Sequence, residues 1–264
     1  MSVIPAQRRQ HILDTVRDDG AVSIRALAAT LQTSTVTIRR DLDYLDSVGQ
    51  LTRTHGGALG GQPSWESPYS EKVVRVRLEK EAIGTLAATL VREGDVVAIG
   101  PGTTTQALAR NLARRTGLTI VTNSLLVASA FVDAVGSEVV LTGGTLRGSI
   151  RALVGEATNR TLRGVHADIT FLSGNGVDTD FGLSTPNMAV ADCDRSLAAA
   201  GHRVVALADH TKFGVRTAIQ TLGPRAINDL VTDDGSPPGE LAAWSATGVR
   251  VHVAQSGTGL SDTF

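Results

Sequence analysis

From Arg75 onward the chain alternates short, continuous apolar runs with Ala- and Leu-rich stretches of helical length. The runs are Val96–Gly100, Leu118–Thr122, Glu138–Thr142, Ile169–Gly174, Val204–Ala208, Leu230–Thr232 and Val249–Val253. A strand that is apolar at consecutive positions, rather than at every second one, is covered on both faces. Such strands alternating with helices predict a Rossmann-like, mainly parallel α/β sheet. Aromatic residues make up only 3% of the chain, so Ala, Val, Leu and Ile must build the core. Sheets of this kind bind ligands beyond the carboxyl ends of their strands. Polar groups that follow the runs are therefore the candidates for a site.

The first such segment is "VVAIGPGTTTQALARNL", Val96 to Leu112, a strand, a glycine loop and a helix. Gly100 and Gly102 let the backbone approach a ligand closely. Thr103, Thr104 and Thr105 begin the helix, where free amides and the helix dipole favour an anion. No Gly-Lys-Ser/Thr occurs, which excludes a Walker A loop, and the third glycine of a dinucleotide fingerprint is absent. A phosphate cradle of amides and hydroxyls remains, beside the plainer reading of a Thr-capped helix. Thr122, Asn123 and Ser124 end the second run, where Asn123 either caps a helix or meets a sugar hydroxyl. Gly143, Gly144 and Arg147 follow the third run, and Arg147 reads either as a phosphate partner or as an exposed cation. Gly174 and Asp178 follow the fourth. Asp209 and Lys212 follow the fifth, where a lysine beside a phosphate loop reads as a ligand group.

Three short amphipathic helices are expected before Gly49. The first, Gln7 to Arg17, carries Ile12, Leu13 and Val16 and ends at Gly20. Ser23 caps the second, whose Ile24, Leu27, Ala28 and Leu31 share one face. "QTS" turns the chain, and Ser34 or Thr35 caps the third. On a helical wheel Ile38, Leu42 and Leu45 fall on one narrow face, while Val36, Arg40 and Asp43 point away and Thr37 and Arg39 flank them. Two short helices and a tight turn, the second helix presenting polar groups near its start, form a helix-turn-helix. Leu51 to Thr54 and the Gly56–Gly57 reversal add a β wing. Arg39 and Arg40 then have a task, since guanidinium groups pair with guanine edges and with phosphates. Ser34, Thr35, Val36 and Thr37 on the same helix, and Arg53 and His55 on the wing, complete the candidate DNA face. Asp41 is expected to orient a neighbouring arginine or the wing rather than to touch DNA.

"SIRALAATLQTSTVTIRRDLDYLDSVGQLTRTHGGA", Ser23 to Ala58, resembles the DNA-binding signature of the DeoR family of bacterial sugar-metabolism regulators. Its Thr-x-Arg-Arg-Asp-Leu and Arg-x-His-Gly-Gly-Ala motifs stand at Thr37–Leu42 and Arg53–Ala58. The segments Gly102–Thr105, Thr122–Ser124, Gly143–Gly144, Gly174–Asp178 and Asp209–Lys212 resemble that family's effector domain, which is similar in fold to ribose-5-phosphate isomerase. Pro101 stands where the family commonly has an acidic or small polar residue, and Lys72 and Arg75 fall near a position usually held by one arginine. The resemblance implies a winged helix-turn-helix over residues 1–60, a linker over 61–74, a phosphosugar-sensing α/β domain over 75–254 and a tail over 255–264. It also implies double-stranded operator DNA as partner and a phosphorylated sugar as effector.

Composition agrees with that division of labour. The net charge is −1, so the chain is unsuited to coating nucleic acid, although a local DNA-binding face is allowed. Residues 1–60 hold seven Arg, no Lys and six Asp, a local balance of +1. Tight DNA binding is therefore expected to need a homodimer or homotetramer. The single cysteine, Cys193, excludes an internal disulfide and is expected to be an inert core residue. No apolar stretch approaches the roughly 18 residues of a membrane span, and a cytoplasmic protein is expected. No metal, cofactor or catalytic residue is called for. The leading expectation is a repressor released by a phosphosugar. A sugar-phosphate-responsive activator uses the same chemistry. An isomerase-like enzyme could draft Asp178, Asp209 and Lys212, but the acid–base set for it is not evident, and fold alone does not confer activity.

Overall fold

The structure, a computed structural model, describes residues 5–19, 21–47, 51–54, 56–60 and 72–257. His55, residues 61–71 of the expected linker and residues 258–264 of the expected tail lie outside the described residues. The chain divides into two compact units, Met1–Trp65 and Glu66–Phe264.

In the first unit, α1 (Pro5–Asp19), α2 (Ile24–Thr30) and α3 (Thr35–Ser47) pack with a three-stranded antiparallel sheet. Its strands, in the order β1 (Ala21–Ser23), β3 (Gly57–Gly60), β2 (Leu51–Arg53), include β1, which the sequence reading did not anticipate. The Ser23 hydroxyl accepts the Ala26 amide at 3.1 Å and starts α2. The Ser34 hydroxyl accepts the Thr37 amide at 3.1 Å and starts α3, which settles the choice between Ser34 and Thr35. One apolar cluster joins Ile12 and Val16 of α1, Leu27 of α2, and Ile38, Leu42 and Leu45 of α3. Gly57 lets β3 approach β1, since a Cβ there would stand 1.8 Å from the Val22 carbonyl oxygen.

The second unit is built on seven strands: β4 (Val96–Ile99), β5 (Thr119–Thr122), β6 (Glu138–Leu141), β9 (Ala167–Ser173), β12 (Gly201–Leu207), β14 (Asp229–Asp233) and β15 (Arg250–Ala254). Every pairing in this sheet is parallel, in the order β15-β14-β12-β9-β4-β5-β6. These are the seven runs read from the sequence. Strand residues alternate between two cores. Val97, Ile99, Phe171 and Leu207 face α4 (Arg77–Ala88), α5 (Thr103–Leu112) and α6 (Leu125–Ala130). Ala98, Leu172, Ala206 and Leu230 face α7 (Glu156–Arg163), α8 (Met188–Ala200) and α9 (Pro238–Ala246) through Leu162, Leu197 and Trp244. The winding reverses between β4 and β9, and this switch point opens a crevice at the carboxyl ends of the strands.

Two smaller pieces were not legible in advance. A hairpin joins β7 (Thr145–Arg147) to β8 (Ala152–Val154), and β10 (Gly176–Asp178), β11 (Gly182–Thr185) and β13 (Ile219–Leu222) form an antiparallel sheet. At the amino end of the main sheet, fully buried Asp229 accepts two hydrogen bonds from Arg203 at 2.7 Å and one from Arg250 at 2.9 Å. His252 Nε2 lies 2.8 Å from the same carboxylate. Burial pushes this carboxyl up, but the bonds from Arg203, His252 and Arg250 outweigh it and hold the pKa at about 2.

Candidate nucleic-acid interface and ligand cleft

On α3 the apolar stripe is sealed, with Ile38 and Leu42 at 0% and Leu45 at 1% exposure. Arg39 and Arg40 stand in solvent with Ser34, Thr35 and Val36, and Thr37 is half-buried. The Ser34 and Thr37 hydroxyls lie 2.9 Å apart and share a hydrogen bond, so they spend part of their bonding capacity on the helix start. Asp41 is buried and accepts Arg8 Nε at 2.5 Å and Arg9 Nε at 2.8 Å. It orients arginines of α1, not Arg39, Arg40 or the wing, and so fastens the exposed helix to the rest of its unit. Arg9 in turn lies over the Tyr44 ring, 3.8 Å from its centroid. Arg53 pairs with Asp43 of α3 and remains exposed. It therefore ties β2 to α3.

In the second unit a cleft opens over the ends of β4, β9 and β12. Gly102, Thr103 and Thr104 line it at the start of α5, Gly174 follows β9, and Asp209 and Lys212 follow β12. Gly102 has φ +154°, and a Cβ on it would stand 2.1 Å from Ser173 Oγ, so only glycine fits the loop. The helix start carries no side-chain cap, which leaves its amides available to an anion. Asp209 is 1% exposed and accepts the Thr211 amide at 3.1 Å and the Thr211 hydroxyl at 2.5 Å. It thereby fixes the turn that carries Lys212.

Lys72 and Lys80 also line the cleft. Lys80 is 6% exposed on α4, and its Nζ donates to the carbonyl oxygens of Lys72 at 2.6 Å and Arg75 at 2.8 Å. Burial lowers its pKa to about 8. Asp209 opposes that shift, and Lys212, Arg75 and Lys72 add to it. A lysine on a helix reads as a solvated charge, and the sequence reading passed over it. The signal was nevertheless present: Lys80, Ile83, Gly84 and Ala87 occupy one i, i+3, i+4, i+7 stripe, and all four are buried. Thr185, at the end of β11, and Asp194, on α8, line the cleft and were missed as well.

The other expected effector residues are placed elsewhere. Gly100 lies just before the cleft, and Thr105 turns its hydroxyl back to the Gly102 carbonyl at 3.1 Å. The Thr122 hydroxyl donates to the Ile99 carbonyl at 2.6 Å and accepts the Ser124 amide at 3.0 Å. Ser124 caps α6 through the Val127 amide. Asn123 Nδ2 donates to the Leu153 carbonyl at 2.9 Å, so it fastens β8 to the sheet. Gly143 and Gly144 lead into the β7–β8 hairpin, where a Cβ on Gly144 would meet Thr158 Oγ1 at 2.3 Å. Arg147 closes β7. Asp178 sits in the β10–β11 turn, accepts the Asp180 and Phe181 amides at 2.9 and 2.8 Å, and pairs with Arg216 at 2.8 Å. These residues hold the structural contacts just named and do not line the cleft.

Residues 8–60 match the DeoR-like helix-turn-helix domain, and residues 76–234, more than half of the chain, match the DeoR C-terminal sensor domain. The HTH-type transcriptional regulator YgbI of Escherichia coli K12 is 35% identical over 255 residues, 96% of this chain and 100% of that protein. GlpR, an HTH-type transcriptional regulator of Haloferax volcanii, is 35% identical over 88% of this chain and 91% of its own length. The glycerol-3-phosphate regulon repressor of Escherichia coli K12 is 32% identical over 88% and 92%. Among solved structures, ribose 5-phosphate isomerase A of Methanocaldococcus jannaschii matches 51% of this chain and 53% of its own at 17% identity and a TM-score of 0.39, a distance that says nothing of activity. Among the described residues no helix is long and apolar enough to cross a membrane. With regulators rather than enzymes as its relatives, the chain belongs to the DeoR family of DNA-binding transcriptional regulators.

Proposed function

We propose that this regulator represses a sugar-metabolism operon and leaves its operator when a phosphorylated sugar or polyol occupies the cleft. The observation that carries the reading is the meeting of Lys72, Lys80 and Lys212 in one cleft with the open start of α5. Three cations and a row of free amides suit a phosphate, and the name of the glycerol-3-phosphate regulon repressor supports a ligand of that class. Arg39 and Arg40 read base edges, Ser34, Thr35, Val36 and Thr37 assist at the groove, and Arg53 and His55 approach the backbone. The protein works in the cytoplasm as a homodimer or homotetramer, because a single helix-turn-helix of local charge +1 presents few contacts. Release requires the ligand to prefer the conformation that binds DNA poorly, since only a difference in affinity shifts an equilibrium.

Isothermal titration of the full chain with paired phosphorylated and free sugars tests the effector. The phosphorylated member is expected to bind at least about tenfold more tightly. Equal affinity for both members would return Thr103 and Thr104 to plain helix building.

A further inference from the structure

The helices on opposite faces of the main sheet each break a buried stripe with one charged residue. On α4 it is Lys80. On α8 it is Asp194, within Val190, Cys193, Asp194 and Leu197, all buried. Asp194 is 3% exposed and lines the same cleft as Lys80. Its Oδ1 lies 3.6 Å from where a Cβ on Gly100 would stand, so the missing side chain at Gly100 leaves room for this carboxylate beside the end of β4. Thr185 lines the cleft too, is 2% exposed, and among the described residues its hydroxyl has no hydrogen-bond partner. A buried hydroxyl without a partner is destabilising, and of the hydroxyls in this condition among the described residues Thr185 is the one that lines the cleft, Thr217 and Thr221 lying outside it. The cleft thus receives cations from the α4 side and, from the α8 side, a carboxylate and a hydroxyl.

We infer that Asp194 and Thr185 read the uncharged end of the effector and select polyhydroxyl monophosphates over those with a second acid group. A carboxylate accepts hydrogen bonds from sugar hydroxyls and repels another carboxylate or phosphate in the same enclosed space. The Thr185 hydroxyl gains its missing partner from the same ligand. Attraction toward the lysines fixes which end of the molecule is the anion, and repulsion at Asp194 fixes what the other end cannot be. This inference rests on the phosphate reading above.

Titration calorimetry of the full chain decides it, with inorganic phosphate, with sorbitol 6-phosphate against 6-phosphogluconate, and with glycerol 3-phosphate against 3-phosphoglycerate. In each pair a terminal hydroxymethyl group faces a carboxylate. The wild-type protein is expected to favour the polyol phosphate of at least one pair by about tenfold or more. Asp194→Asn narrows that gap to within about threefold. Thr185→Val, which deletes an unpartnered hydroxyl at constant shape, weakens the polyol phosphate about tenfold without lowering the melting temperature. Wild-type binding alike to both members of each pair, a gap that survives Asp194→Asn, or inorganic phosphate binding with no gain from any organic phosphate overturns the inference. Failure of every phosphate to bind the wild type overturns the phosphate reading beneath it, a separate result.

Discussion

The molecule holds its working charges in two opposite ways. Arg39 and Arg40 lie in open solvent on a helix whose other face is sealed. Lys80 and Asp209 are buried at 6% and 1% exposure, and burial lowers the lysine's pKa to about 8. DNA is a polyanion that brings its own field to the surface, so arginines that meet it gain by staying hydrated and mobile until contact, and binding draws on counterion release. A small effector brings one or two charges and must be enclosed to be recognised. Its site therefore keeps charges in a half-dry cleft, where each is costly alone and strong when matched. Removing an exposed charge should harm binding and spare the fold. Removing a buried one should harm the fold or the ligand.

The largest effect is expected at Asp229, a buried charge outside both working faces. Asp229→Ala leaves Arg203 and Arg250 facing a hole and should cost roughly 3–5 kcal/mol of stability, read as the denaturant midpoint. Its pKa is depressed, so its contribution is complete above the unfolded value near 4 and is lost as pH falls toward about 2. The wild type should therefore lose stability across that acid window more steeply than the variant. A variant as stable as the wild type would remove the contrast between buried and exposed charge.

Next in size is Lys212→Ala, expected to weaken a phosphorylated effector by about 1.5–3 kcal/mol, tenfold or more, with operator affinity intact. The cellular outcome is a regulator that no longer lets go. Arg39→Ala and Arg40→Ala should each weaken specific operator binding by about 1–3 kcal/mol at fixed salt while the melting temperature stays put. A gel-shift titration with unchanged affinity in both variants would take α3 out of the groove. The smallest effect is a pH dependence. The free Lys80 ammonium loses its proton near 8, and a bound anion favours the charged form. Binding above pH 8 must then take up a proton, so effector affinity should fall by at most about tenfold per pH unit above that point. Operator binding by the arginines should show no matching step. A step shared by both would sink the division between the two charge environments.

The same contrast explains what the sequence disclosed. The inner strands were legible because burial on both faces writes itself as a nearly continuous apolar run, as in "VVAI", and the half-buried edge strands β6 and β15 were legible from their valines. The α3 face was legible because one local period separates Ile38, Leu42 and Leu45 from the arginines. The short strands β1, β11 and β13 were not, since β1 pairs with β3 and β11 with β13 across nearly forty residues of chain. Asn123 and Asp178 drew notice because strand ends were the right place to look; what their segments did not disclose is that the Asn123 amide donates to the distant Leu153 carbonyl and that Asp178 accepts the amides of its own turn. Lys80, Thr185 and Asp194 went unseen for the converse reason. Each is chemically ordinary in its own segment and becomes a site residue only when α4, β11 and α8 meet over the sheet.

One bond pattern at Lys80 reaches further. An ammonium group has three hydrogens, and two of them are committed to the Lys72 and Arg75 carbonyls. Lysine ordinarily meets an anion as a point charge that can swivel to any bearing. Here the nitrogen is braced like the apex of a tripod with two legs planted, and its last hydrogen has one bearing. On the proposed phosphate reading, the cleft would thereby obtain from a lysine the angular discrimination usually supplied by a guanidinium fork. A ligand oxygen displaced sideways meets the same charge but loses the bond.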